Sequence, residues 1–162
     1  MNELPIGDFS DYDMSAIKPE LAKLNEGSVY LEVGVQYGRS LAFAKFNSKA
    51  DVYGIDPRDI NEFKDATFIN LPSNEAVKDW NKDIDLLFID GDHSYQGVKD
   101  DWDNFSPFVK VGGIVFFHDC DDCGMEIVKF ANEMANDNGW GELVNYKTPE
   151  CNTSMASLGR IE

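Results

Sequence analysis

The spacing of apolar residues changes several times along the chain, and each change marks an element. Met14, Ile17, Leu21 and Leu24 recur at helical spacing, which predicts a short helix over residues 14–25 ending at Asn25-Glu26-Gly27. Ser28–Val35 (SVYLEVGV) is instead a short apolar run rich in β-formers. It predicts a buried strand that breaks at Gln36-Tyr37-Gly38, before a helix over Arg39–Phe46. The alternation then repeats. Strands are predicted at Asp51–Asp56, Ala66–Asn70, Ile84–Asp90 and Val111–His118. Helices are predicted from an N-cap at Ser73 through Trp80, from Ser94 to about Phe105 with Pro107 just beyond, and from Gly124 to Asn136. Two weaker strands are expected between Leu143 and Ile161, around a turn near Pro149.

Strands as apolar as IDLLFID need cover on both faces, and strand alternating with helix is the pattern of βαβ units. The expectation is an α/β protein with a mainly parallel sheet between two helical layers. No repeat, low-complexity tract or Pro/Gly-rich linker divides the chain. Its 162 residues suit one domain, residues 1–27 forming a short helical lead-in.

Composition narrows the partners. A hydrophobic fraction of 43% supports a real core, and a formal net charge of -16 repels phosphate backbones and anionic membranes. Basic residues are scattered singly, so a small molecule is expected rather than nucleic acid or lipid. No apolar run is long enough to span a bilayer. The acidic stretch Met1–Asp13 lacks the layout of a signal peptide. Three cysteines, Cys120, Cys123 and Cys151, cannot all pair within the chain, so reduced thiols and a cytoplasmic location are expected.

Ligands of open parallel sheets bind beyond the carboxyl ends of the strands. The first predicted strand ends in Glu32-Val33-Gly34-Val35-Gln36-Tyr37-Gly38. Its glycines serve either a tight turn or a close approach of backbone to ligand, and Gln36 and Tyr37 fill the middle of what would otherwise be a dinucleotide loop. Asp56 ends the second strand, where an acid either accepts from ribose hydroxyls or shapes the turn before Pro57. Without pyrophosphate-hugging glycines, S-adenosylmethionine is favoured over NAD. The fourth strand runs into Asp90-Gly91-Asp92-His93 and the fifth into His118-Asp119, so the only two histidines fall at adjacent strand ends. Asp90, Asp92, His93, His118 and Asp119 together suit a divalent ion such as Mg²⁺, Mn²⁺ or Fe²⁺. The competing reading has Asp90 and Asp119 capping the next helices, with both histidines bonded to nearby backbone. Cys120-Asp121-Asp122-Cys123 is half a zinc site without a second pair, and reads as a loop or helix start. Trp80, Trp102, Phe105 and Phe108 read as core packing, with Trp102 also placed to line a pocket.

The segments VYLEVGVQYGRS, VYGIDPR and LLFIDGDHSYQGVKDDWDNFSPFVKVGGIVFFHD resemble the successive motifs of class I S-adenosylmethionine-dependent methyltransferases. More narrowly, they are similar to the methyltransferase-24 type, the group with a DGDHSY segment and a later HD that includes macrocin- and cephalosporin-pathway methyltransferase-like proteins. The resemblance covers about residues 25–120. It implies a Rossmann-like three-layer α/β/α sandwich with sheet order 3-2-1-4-5-7-6 and the last strand antiparallel. It implies cofactor contacts from Glu32, Gly34, Gln36, Gly38, Ser40, Ser73 and Asp90, a ribose contact from Asp56, and Asn70–Ser73 near the adenine. It also implies a divalent ion at Asp90, His118 and Asp119. The imidazole among these ligands shifts the choice from Mg²⁺ toward softer ions, and Asp92 or His93 is then the general base. The implied reaction is O-methylation of a sugar or other polyol. The alternatives are metal-independent methylation of a nitrogen or carboxylate, and a cofactor-binding domain without catalysis in a larger assembly. The chain departs from the family at Gln36, which replaces a loop glycine. Its short N-terminal extension predicts no lid over the substrate, which a second copy in a homo-oligomer would supply.

Overall fold

The computed structural model describes residues 4–58, 65–120, 125–135, 139–147 and 155–162. The expectations at Asp121, Asp122, Cys123, Gly124, Asn136, Pro149 and Cys151 lie outside the described residues.

The first helix, α1 (Asp11–Leu21), begins earlier than its apolar spacing predicts, because Ser10 caps it. The Ser10 hydroxyl accepts the Asp13 N–H at 3.3 Å, and the Asp13 carboxylate accepts the Ser10 N–H at 2.9 Å. This reciprocal capping box satisfies two otherwise orphaned donors. Leu24 packs against the core from beyond the helix end. There follow β1 (Val29–Val33), α2 (Arg39–Asn47), β2 (Asp51–Ile55), β3 (Thr67–Ile69) and α3 (Ser73–Ala76). Next come β4 (Ile84–Ile89), α4 (Tyr95–Phe105), β5 (Val109–Phe117), α5 (Met125–Met134), β6 (Val144–Tyr146) and β7 (Met155–Gly159). Ser94 caps α4 by accepting the Gly97 N–H at 3.1 Å.

Helix α3 differs from its prediction. Its N-cap is Pro72, Ser73 is the first helical residue, and a 3-10 turn at Val77–Asp79 ends it before Trp80. Trp80 is instead extended and plugs the core, edge-on to Tyr53 and Phe105.

The seven strands form one sheet in the order β3-β2-β1-β4-β5-β7-β6. The first five positions pair in parallel, and β7 runs antiparallel to both β5 and β6. Strand side chains alternate between two cores. Val29, Leu31 and Val33 of β1 and Val115 and Phe117 of β5 pack with α4 and α5. Tyr30, Ile114 and Phe116 pack with α1 and α2. Helices therefore cover both faces, in three Rossmann-like layers. Trp102 lies in the first core, stacked on Phe117 with ring centroids 5.7 Å apart and tilted against Trp140 at 4.5 Å, so it packs the interior rather than a pocket wall. Among the described residues, no helix is long and apolar enough to cross a membrane.

Candidate functional site

Because β2, β1, β4 and β5 are parallel neighbours, their carboxyl ends share one edge of the sheet, and so do Asp56, Gly34, Asp90 and His118. The crossing of β1 and β4 is tight there. The Asp90 N–H donates to the Val33 carbonyl at 2.8 Å. A Cβ on Gly34, which has a φ of +86°, would sit 2.2 Å from the Asp90 carbonyl oxygen. The loop stays left-handed at Gln36 (φ 51°) and Gly38 (φ 82°), and Gly38 occupies the N-cap of α2. Gln36 adopts this backbone without being glycine, at a cost of about 1 kcal/mol. Its N–H is held by Asp56 at 2.9 Å, and its amide donates to Asp8 at 3.3 Å.

Asp56 is almost wholly buried, and its carboxylate is fully engaged. One oxygen accepts the N–H groups of Val35 (3.0 Å) and Gln36 (2.9 Å), and the other the Arg58 N–H (2.8 Å). The Arg58 guanidinium adds bonds of 3.1 Å to both oxygens. Burial raises the Asp56 pKa, but these donors outweigh it and hold the carboxyl below its usual range. The turn role expected of Asp56 is thus visible, and Asp56 also fixes the glycine loop.

Glu32 and Ser40 stand behind that loop. Glu32 is fully buried, accepting the Ser40 hydroxyl at 2.6 Å and the Tyr30 hydroxyl at 2.8 Å. Burial pushes its pKa up to about 8, against the pull of those two donors. Because the folded value lies above the unfolded one, Glu32's contribution to stability is complete below pH 4.5 and is lost as the pH rises toward 8. Glu32→Gln is expected to remove that slope, making the variant roughly 2–4 kcal/mol less sensitive than the wild type to a change from pH 5 to 8.5. Urea midpoints across that range measure it. Parallel slopes would show that Glu32 stays ionised in its pocket.

Two cavities open at the strand ends. The larger, of about 780 Å³, lies beyond β1, β2 and β4. Ile55, Pro57 and Pro72 give it apolar walls, and Ser73, Asp101 and Asn104 a polar side. The Ser73 hydroxyl bridges the two α4 side chains, donating to Asp101 and accepting from the Asn104 amide at 3.4 Å. Burial raises the Asp101 pKa to about 6, with the Asp100 and Asp92 charges adding to it. The smaller cavity, of about 200 Å³, lies between Phe9, Gln36, Arg39, Ser40, His93 and Asp119.

Four of the five acids and imidazoles expected to converge do so, at the smaller cavity. His118 Nδ1 lies 3.1 Å from Asp90 Oδ1 and 3.3 Å from Asp119 Oδ2, and His118 Nε2 lies 3.4 Å from Asp13 Oδ2. The ring is buried, which disfavours its charge, but the bonds to Asp119, Asp13 and Asp90 prevail and lift its pKa well above the ordinary value. In return Asp13 falls to about 2, the bonds from His118 and Ser10 overcoming its burial. Asp119 is likewise lowered by His118 against the effect of burial. His93 is half exposed. Its Nε2 lies 3.2 Å from Asp119 Oδ2 and 3.8 Å from Asp90 Oδ1, and Asp90 and Asp119 raise its pKa. One ligand atom each from Asp90, His93 and Asp119 fall within 4.8 Å of one another. His93, rather than the buried His118, is therefore the imidazole that shares an open face with the two acids. Asp92 stands apart: its carboxylate accepts the Ser94 N–H at 2.9 Å, packs against Gly97 and lines the larger cavity. Asp90 does not cap α4, a role filled by Ser94.

The N-terminal segment walls the site, against the expectation of an uncovered one. Arg39 ties it down by donating to the Phe9 carbonyl at 2.9 Å and the Pro5 carbonyl at 3.0 Å. The Phe9 ring lies 5.7 Å from that of His118. Asp13, Phe9, Arg58 and Asp101 are the site residues that the sequence reading misses. The Ser10…Asp13 spacing is the one signal that could have placed Asp13 at a helix start.

Residues 31–120 match the family described as methyltransferase domain, of the methyltransferase-24 type. The chain is 29% identical to the uncharacterized protein R132 of Acanthamoeba polyphaga mimivirus, a match that covers 73% of this chain and 64% of that protein's length. Its fold is similar to that of an O-methyltransferase from Bacillus cereus in complex with SAH (S-adenosylhomocysteine), with TM-score 0.70, 13% identity, and 97% of this chain and 84% of that one covered. It is also similar to MycE, a methyltransferase of the mycinamycin biosynthetic pathway in complex with Mg, SAH and mycinamycin VI. That match has TM-score 0.66 and 16% identity, covering 95% of this chain and 50% of that one. The matched segment carries the glycine loop, both cavities' shared wall and Asp90, His93, His118 and Asp119, and by it the chain belongs to the methyltransferase domain family.

Proposed function

We propose that the chain binds S-adenosylmethionine in the larger cavity and methylates a hydroxyl of a small, sugar- or polyol-like acceptor in the smaller one. One observation carries this reading: Arg58, Asp90 and Gly91 line both cavities, so a molecule filling the larger one ends beside His93 and Asp119.

The residues suit the cofactor. Apolar walls at Ile55 and Pro72 face polar groups at Ser73 and Asn104, as a flat base with hydrogen-bonding edges requires. Asp56 lies beneath, and ribose hydroxyls reach it once the largely exposed Arg58 side chain turns aside. The bound cofactor supplies an electrophilic methyl group on its sulfonium. The chain's own part is alignment and proton removal. With Nε2 of His93 donating to Asp119, Nδ1 is left to take the acceptor's proton. Asp90 and Asp119 then stabilise the imidazolium, as their effect on the His93 pKa requires.

A second reading rests on the spacing of Asp90, His93 and Asp119. These three would hold a divalent ion, Mn²⁺ or Fe²⁺ before Mg²⁺ given the imidazole, and the ion would acidify a bound hydroxyl.

Titration calorimetry of EDTA-treated protein with S-adenosylhomocysteine, with and without Mn²⁺ or Mg²⁺, tests both readings. Micromolar binding is the expected result, and a metal-dependent change assigns the second reading. No binding under any condition overturns the proposal. Binding without turnover on a broad panel of polyols would leave a cofactor-binding domain without catalysis.

A further inference from the structure

We infer that the larger cavity reads the charge of its ligand, holding S-adenosylmethionine, a cation, more tightly than neutral S-adenosylhomocysteine. The inference rests on that cavity being the cofactor site and goes beyond it in naming the groups that discriminate.

Among the described residues, six aspartates line the cavity, Asp56, Asp90, Asp92, Asp100, Asp101 and Asp103, against one cationic side chain, Arg58. Three of the six have cationic partners. Asp56 pairs with Arg58, Asp90 with His118, and Asp103 with Lys99. The other three accept hydrogen bonds from neutral donors, with the Lys99 charge acting on Asp100 from beyond ion-pair distance. The Ser94 N–H bonds to Asp92, the Gln96 amide to Asp100 at 2.6 Å, and the Ser73 hydroxyl to Asp101. Among the described residues, no lysine, arginine or histidine forms an ion pair with any of these three.

A neutral donor satisfies a lone pair but leaves the carboxylate's charge in place. A sphere of the cavity's volume has a radius of about 6 Å, inside the Debye length of roughly 8 Å at physiological ionic strength. Any charge placed in the cavity therefore feels all three carboxylates. At neutral pH S-adenosylmethionine carries a sulfonium, an ammonium and a carboxylate, a net charge of about +1. S-adenosylhomocysteine lacks the sulfonium and is neutral. When the sulfur–methyl bond breaks, its electron pair stays on sulfur and the ligand's net positive charge is gone. The carboxylates that draw in the substrate form thus lose their hold on the product form in the same event. Asp92, Asp100 and Asp101 are specificity-determining residues on this view, acting through space rather than by contact.

Calorimetry on the purified protein tests this with three ligands: S-adenosylmethionine, S-adenosylhomocysteine, and an analogue with a protonated amine in place of the methylsulfonium. At low ionic strength both cations are expected to bind about tenfold more tightly than S-adenosylhomocysteine, and at about 0.5 M salt the gap is expected to shrink to roughly threefold. Asp100→Asn, at an exposed position that tolerates the change, and separately Asp101→Asn, should each narrow the low-salt gap about twofold while moving S-adenosylhomocysteine affinity by less than that. Equal or tighter binding of S-adenosylhomocysteine overturns the inference and leaves the cofactor assignment standing. Binding of none of the three overturns the cofactor assignment itself, and this inference with it.

Discussion

Gly34→Ala is expected to cost more than 4 kcal/mol of folding stability and to abolish cofactor binding in whatever fraction stays folded. Two separate penalties add at this position. The backbone is left-handed, which costs an L-residue roughly 1–2 kcal/mol. The new Cβ would also lie 2.2 Å from the Asp90 carbonyl oxygen and 2.6 Å from Gly91 Cα. Those are backbone atoms of a central strand's end, with no rotamer to change, so β1 and β4 must part or the loop must move. The chain contains its own control. Gly27 has nearly the same φ, +87°, with nothing within 4 Å of a built Cβ. Gly27→Ala should therefore show the left-handed penalty alone, about 1 kcal/mol. The difference in unfolding free energy between the two variants measures the close approach. A difference under about 1 kcal/mol would mean that β1 and β4 do not meet as tightly as described.

The second large effect is at His118. His118→Asn in metal-stripped protein is expected to cost about 3–5 kcal/mol, because it removes the buried, charged imidazole that bonds to Asp13, Asp90 and Asp119 together. The loss should depend on pH in a definite way. His118 has a folded pKa well above 6.5, so its contribution is complete below pH 6.5 and is lost as the pH rises through the folded value. Asp13, lowered from 3.8 to about 2, contributes above pH 3.8 and loses that contribution as the pH falls to 2. The deficit of the variant should therefore be widest between about pH 4 and 6.5 and narrower on either side. Denaturation at pH 3, 5.5 and 9 samples the three regimes. A deficit that stays constant across them would show that His118 serves only to fill space beside Phe9 and Phe88.

The layers and the site's address were legible in the sequence because both follow from local patterns. A run as short and apolar as Ile84–Ile89, set between helical segments, reads as a buried strand, and a parallel sheet puts such strands' ends at one edge. Two weak strands between Leu143 and Ile161 were expected from the chain itself, but their places in the sheet order came from the resemblance alone, since VNY and MASLG carry little periodicity of their own. Where local reading erred, a neighbouring residue had decided otherwise. Pro72 took the cap expected of Ser73, and Ser10 started α1 ahead of its apolar stripe. The partners of His118 were half legible. Asp90 and Asp119 lie at strand ends, but Asp13 reaches the ring from a helix more than a hundred residues earlier in the chain, a contact no spacing rule describes. Asp92 was misplaced for the opposite reason: it is adjacent to His93 in sequence, yet the turn into α4 bends its carboxylate onto Ser94.

The position of β7 has a consequence for how the protein is made. β7 lies between β5 and β6 and is their link, because among the described residues β6 has no other partner in the sheet. On the ribosome, β5 and β6 emerge before residues 155–159, so the nascent chain carries an open edge at β5 and a β6 with nowhere to pair. Phe116 and Phe117 lie on that edge strand, and an apolar strand with unpaired backbone invites association with another chain. Completion of the sheet therefore waits for one late segment to enter as the middle strand of three. The interval before it arrives is when a holdase has most to protect.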